Sequence, residues 1–184
     1  MIDDRASRGL LISALGSAVV AVSTFLPWYT VSITAAGAAA AQQQLTSVAQ
    51  QYGNANLQTM AGQVGAGFSS VAGRPLTTVS AHEALKYTSV ILLLLAGVSL
   101  LASLLRLAGM LEAGGGLIAI VGFVAILCVL LRMLAPPNPE TALISLSLSW
   151  GVWLALVGAV AIAVGGVWSP PPARDPELHP SYRL

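Results

Sequence analysis

Residues 87–105 have the sequence YTSVILLLLAGVSLLASLL, with no charged side chain. Three further stretches share this property and run over Leu10–Pro27, Gly115–Leu131 and Trp150–Trp168. About 20 apolar residues in a helix cross the ~30 Å hydrocarbon core of a bilayer. Because lipid offers no partner to backbone polar groups, such stretches form helices. The sequence therefore predicts an all-α membrane protein, a four-transmembrane-helix bundle with a small extracytoplasmic segment.

The composition of the whole chain agrees with this prediction. Of its 184 residues, 56% are hydrophobic and 8% are charged, whereas soluble domains carry about 25% charged residues. The net charge is +1 and no basic cluster occurs, so the lipid bilayer is the expected partner and nucleic acid is not. The single cysteine, Cys128, cannot form an intrachain disulfide or a CxxC pair. We interpret it as a small buried apolar residue.

The apolar stretches and their flanks divide the chain into segments. We predict transmembrane helices at 9–28, 88–107, 116–134 and 150–168, an extracytoplasmic segment (29–87), a cytoplasmic loop (108–115), an extracytoplasmic loop (135–149), a cytoplasmic N-terminus (1–8) and a disordered cytoplasmic tail (169–184). Pro27 should end the first helix, because it lacks an N–H and its ring clashes with the preceding turn. A cleaved secretory signal peptide is the alternative for the N-terminus. The long apolar run and the Pro27-Trp28-Tyr29 sequence favour a retained helix.

The Lys and Arg residues near the helix ends indicate the orientation, since cytoplasmic loops carry an excess of them. Arg74 and Lys86 lie in a long segment, where this rule is weak, so Arg132 is the remaining cation near the outer ends. We therefore expect a multi-pass protein of the cell membrane with both termini in the cytoplasm. In this orientation one group of aromatic side chains forms an outer interfacial belt: Trp28, Tyr29, Tyr87, Trp150 and Trp153.

The predicted extracytoplasmic segment contains the candidate interaction residues. Its residues 29–34 and 76–79 are typical of short strands, which could pair as a β-hairpin at its base. Between them, residues 35–71 carry no charge, and Gly53-Asn54 separates two amphipathic helical patterns. Leu45, Val48 and Tyr52 recur at helical spacing in the first pattern. The second pattern has an apolar stripe, the candidate interface: Leu57, Met60, Val64, Phe68 and Val71.

Two short stretches near the membrane ends have local signals. Ser80-Ala81-His82-Glu83 predicts a capping box that begins the second membrane helix outside the bilayer and continues into it. The other histidine, His179, lies in the tail, so the two histidines predict no metal site. Residues 143–149 (LISLSLS) alternate as a strand would, but a transmembrane helix follows at once. We favour helix there, with a strand as the alternative.

Three motifs suggest a resemblance to a known group. The first predicted helix ends in Leu26-Pro27-Trp28-Tyr29, the second begins with Ser80-Ala81-His82-Glu83-Ala84, and the fourth contains Gly165-Gly166. The chain thereby resembles uncharacterised four-helix membrane proteins of actinobacteria that have an LPWY-type motif. The resemblance spans the chain in topology and implies no activity. The layout is also similar to that of claudins, although the claudin signature of a Trp with paired Cys is absent.

The apolar spans limit the functions that the sequence predicts. Transporters driven by protons and intramembrane proteases need ionisable groups at membrane depth, whereas the charged residues of these spans, Arg106 and Arg132, lie near helix ends and outside the hydrocarbon core. No catalytic motif is present, so we expect no enzyme, no cofactor and no metal. The expected function is a structural or accessory protein that packs with a membrane-protein partner or with itself, through Pro27, Trp28, Tyr29, Ser80, Glu83 and the apolar stripe. The alternatives are a channel or carrier for a neutral or lipidic ligand, with Ser99 and Ser103 on its path, and a sensor or docking protein that uses the tail.

Overall fold

The computed structural model describes residues 4–110, 115–137 and 144–169, with side chains from Ser7 onward. These residues form seven helices and three strands. In chain order they are α1 (Asp4–Ser23), β1 (Pro27–Ile33), α2 (Ala35–Gln51), α3 (Ala55–Val71), β2 (Pro75–Ser80), α4 (Ala81–Ala84), α5 (Lys86–Leu107), α6 (Gly115–Leu134), β3 (Ile144–Leu148) and α7 (Trp150–Val167). The structure is therefore mostly helical but not all-α.

Three helices, α5, α6 and α7, are long and apolar enough to cross a membrane, which supports the prediction of a membrane protein. The apolar part of α1, Ser7–Ser23, is shorter. The helix also ends at Ser23 and not at Trp28 as the sequence predicted. The amides of Phe25 and Leu26 bond back to carbonyls three residues earlier, which tightens the last turn before Pro27 opens β1.

Small residues bring the long helices of the bundle close together. α7 packs against both α1 and α6, and α1 also packs against α5. A Cβ atom built on Gly16 of α1 would lie 2.7 Å from the carbonyl oxygen of Gly158 in α7. The Ser13 hydroxyl donates to the Ile162 carbonyl at 3.2 Å, and the Ser17 hydroxyl bonds back to the Ser13 carbonyl at 2.8 Å. Both serines are buried, and with their hydroxyls bonded to carbonyls they suit a close contact between helices.

A three-stranded antiparallel sheet with the order β2-β1-β3 caps one end of the bundle. The antiparallel pairing of β1 with β2 confirms the predicted β-hairpin, with Tyr29 opposite Val79. The helix favoured at residues 143–149 is wrong, because Ile144–Leu148 is a strand with Leu146 opposite Val31. Its alternating serines and apolar residues fit a pleated strand on the open edge of β1.

The helix predicted to run without interruption from Ser80 into the membrane is also wrong. Leu85 has φ −137° and ψ 61°, which separates the single turn of α4 from α5. The break places the Leu85 side chain in the core, where it is 6% exposed. The predicted disordered tail beyond Ser169 and most of the loop between α5 and α6 lie outside the described residues.

Candidate functional site

The Leu26-Pro27-Trp28-Tyr29 sequence lies where the sheet meets the bundle. The Trp28 side chain is fully buried, and its Nε1–H donates to the Ser23 carbonyl at 2.7 Å. The amide of Ser149 donates to the Trp28 carbonyl at 2.8 Å, and the amide of His82 donates to the Thr24 carbonyl at 3.2 Å. These bonds join β1 to the start of α7, and the residue after α1 to α4.

The predicted aromatic belt is wrong for two of its members. Trp28 and Tyr29 are buried in the core, because β1 turns inward over the helix ends instead of continuing α1. Pro27 is half-buried, and a Cβ on Gly151 would collide with its carbonyl oxygen. The other aromatic residues of the predicted belt are exposed: Tyr87, Trp150 and Trp153.

The phenol of Tyr29 ties β1 to the end of α6. Its hydroxyl donates to the Arg132 carbonyl at 3.2 Å. Burial raises the pKa of Tyr29, and the nearby Arg132 charge opposes this in part. The phenol therefore stays protonated at neutral pH and acts as a hydrogen-bond donor.

The capping box predicted at Ser80 and Glu83 is confirmed. The Glu83 carboxylate accepts from the Ser80 amide at 3.0 Å, and the Ser80 hydroxyl accepts from the Glu83 amide at 3.3 Å. The Ser80 amide and hydroxyl bonds hold the pKa of Glu83 below its usual value. The neighbouring His82 ring is exposed and lies 5.9 Å from the Phe25 ring. Within the described residues, no three potential metal ligands come together.

The helices α2 and α3 form a hairpin that contacts mainly itself. The Thr34 hydroxyl caps α2 by accepting from the Gly37 amide at 2.8 Å, and Gly53, with φ +61°, makes the turn between the helices. The buried residues of the hairpin are all small: Gly37, Ala38, Ala49, Ala61 and Gly65. A Cβ on Gly65 would lie 2.6 Å from Cγ of Gln42, so glycine at this position permits a close crossing.

Most of the large apolar side chains of this hairpin are exposed. We call five apolar residues the hairpin face: Leu45, which is half-buried, and the exposed Val48, Leu57, Met60 and Val64. Together with Ala49 and Ala61 they line a groove of about 230 Å³. Met60 is 60% exposed, Val48 51%, Val64 46% and Leu57 40%. The structure thus brings part of each predicted stripe to one groove, whereas Tyr52, Phe68 and Val71 do not line it.

Two polar features inside the bundle complete the candidate residues. The hydroxyls of Ser99 and Ser103 on α5 are buried and have no hydrogen-bond partner among the residues that the structure describes. Arg132, near the end of α6, donates from Nε to the Thr88 hydroxyl at 2.8 Å. The contact between Arg132 and Thr88 was not predicted from the sequence. The position of Arg132 at the end of a long apolar helix is the sequence feature that could have indicated it.

No protein-family model, curated protein or solved structure matches this chain. The resemblance to the actinobacterial group therefore stays a prediction. The function has to be inferred from the geometry of the hairpin and the bundle.

Proposed function

We propose that this chain is a non-catalytic interaction protein of the cell membrane. In this proposal α1, α5, α6 and α7 all cross the bilayer, and the sheet carries the α2–α3 hairpin on the extracytoplasmic side. The hairpin face then binds another membrane protein, and a second copy of this chain is the simplest such partner.

The observation that carries the proposal is the inverted burial of the hairpin. A soluble helical hairpin normally buries its large apolar side chains and exposes its small ones. Here alanine and glycine are buried, while Met60 and Val48 are more than half exposed. Each Å² of apolar surface left in water costs about 25 cal/mol, so covering this face would stabilise a complex.

The lack of charged residues in the hairpin favours a second copy as the partner. No residue between Ala35 and Val71 is ionisable except Tyr52. Two copies can therefore bring their hairpins together without repulsion between like charges. A two-fold axis would pair each hairpin face with itself and give a closed arrangement of four helices.

The packing of α1 supports a fourth membrane crossing. α1 lies along α7, which is long and apolar enough to span a membrane. Its 20 residues give a helix about 30 Å long. Because Gly16 and Gly158 leave no room between the two backbones, α1 lies directly against α7, and a bilayer that surrounds α7 would surround α1 as well. The sheet then lies at the opposite end of the bundle from the start of α1 and the end of α7.

Native mass spectrometry in mild detergent tests the proposal. The double variant Met60→Gln/Val64→Gln should lose the dimer, or the complex with a co-purified membrane protein, that the native chain shows. Ala66→Gln is the matched control, because Ala66 lies on the exposed opposite side of α3 and should leave the complex intact. A native chain that remains a clean monomer at all concentrations would contradict the proposal.

A second candidate function is a carrier for a neutral or lipidic ligand. It is favoured by the buried hydroxyls of Ser99 and Ser103, since unpaired buried polar groups are costly and call for an explanation. Replacing both serines with leucine should then abolish flux across liposomes. Absence of flux with the native chain would rule this candidate out.

A further inference from the structure

We propose that a groove between α5 and α6, at the sheet end of the bundle, binds one anionic phospholipid. The lipid phosphate lies on Arg132, and part of an acyl chain lies in the groove. This site is separate from the hairpin face and does not depend on its function.

The guanidinium of Arg132 is held in place by one hydrogen bond, and its other donors have no partner among the described residues. Arg132 lies in the last turn of α6, and its Nε–H bond to the Thr88 hydroxyl connects it to the first turns of α5. Among the described residues, its two terminal nitrogens have no hydrogen-bond or ion-pair partner. A planar fork of N–H donors is therefore available for a phosphate oxygen pair.

An apolar groove begins beside this cation. It has a volume of about 350 Å³ and is lined by Thr88, Ile91, Cys128, Leu131, Arg132 and Ala135. It exists because α5 and α6 pack less closely than the other neighbouring helix pairs of the bundle. Its volume lies within the range of small-molecule sites, about 300–1,000 Å³.

A phospholipid matches both parts of the site. Its phosphate suits the free guanidinium fork, and its chain suits Ile91, Cys128 and Leu131. Both helices are candidate membrane spans, and arginine near a helix end reaches the headgroup level of a bilayer. A free phosphate would use the guanidinium alone and leave the groove empty. An anionic headgroup fits best, because none of the described residues that line the groove is a carboxylate and a zwitterionic lipid brings a competing cation.

Lipid titration followed by native mass spectrometry tests this site. The purified chain is titrated with dioleoyl phosphatidylglycerol or dioleoyl phosphatidylcholine. Arg132→Gln should weaken the tightest phosphatidylglycerol binding about tenfold or more, since a hydrogen-bonded charge pair is lost. Ala135→Trp keeps the charge but fills the groove, and it should weaken binding to a similar extent. Lys86→Gln is the control, because Lys86 begins α5 at the same end and does not line the groove.

The same titration distinguishes a phospholipid in the groove from a free phosphate and from bulk headgroups. If Ala135→Trp keeps the native affinity, the lipid contacts the protein through its headgroup alone and not through the groove, which would overturn the proposal. So would glycerol phosphate that binds the native chain as tightly as the lipid, since this would indicate a free-phosphate site. Equal affinity for both lipids would overturn the anionic preference. If Arg132→Gln fails to fold, Arg132→Lys decides, since it keeps the charge without the fork and should bind with intermediate affinity.

Discussion

Replacing Trp28 should destabilise the fold far more than replacing an exposed tryptophan of the same bundle. Trp28 is 0% exposed, so Trp28→Ala leaves a cavity where the sheet joins the helices, at a cost of about 3–5 kcal/mol. The lost indole hydrogen bond accounts for about 1 kcal/mol of this. The Ser23 carbonyl keeps a bond from the Leu26 amide at 3.2 Å, so the acceptor is not left unpaired.

Thermal unfolding in detergent measures this difference. For a chain of this length, 1 kcal/mol corresponds to about 2–4 °C in Tm, so Trp28→Ala should lower Tm by about 6 °C or more. The matched control is Trp153→Ala, since Trp153 is 54% exposed on α7 and its loss should change the stability by about 0.5 kcal/mol or less. Equal shifts in the two variants would refute the burial of Trp28.

Three further predictions test the strand, the helix packing and the cap. In a Cys128→Ser background, Ser32→Cys/Ser145→Cys should form a disulfide on oxidation, because these residues are paired and their hydroxyls are 2.8 Å apart; a helix at 144–148 would prevent it. Gly16→Leu should lower the free energy of unfolding, measured with denaturant, by about 1–3 kcal/mol. Gly97→Leu should not, because no described atom lies within 4 Å of the Cβ position of Gly97, and similar losses in both variants would refute the close crossing. Because the folded pKa of Glu83 is lowered, its stabilising effect is present above about pH 4.5 and is lost as the pH falls through the folded pKa. NMR titration should place this pKa below 4.5, and a pKa at or above 4.5 would contradict the capping bonds.

The membrane helices and the local caps could be predicted from the sequence because their signals are local. Uninterrupted apolar runs predicted α5, α6 and α7, and the S-x-x-E spacing predicted the box at Ser80. Gly53-Asn54 likewise predicted the turn of the hairpin, since glycine readily adopts a positive φ.

The errors arose where tertiary contacts override local pattern. Residues 144–148 have the period of a strand, but only the open edge of β1 selects it over an extension of α7. Trp28 has the composition of an interfacial anchor, and the turn after Ser23 directs it into the core instead. For the candidate site, periodicity predicted the stripes of α2 and α3 separately. Their meeting in one groove depends on the crossing at Gly65, which no local signal reveals.

Site-specific photo-crosslinking in intact membranes tests the role of the hairpin face most directly. A photoreactive residue at position 60, on the hairpin face, should give a discrete crosslinked product, with twice the mass of the chain if the partner is a second copy. The same residue at position 66, exposed on the opposite side of α3, should give little or none. No product from position 60, or equal products from both positions, would contradict a docking role for the hairpin face.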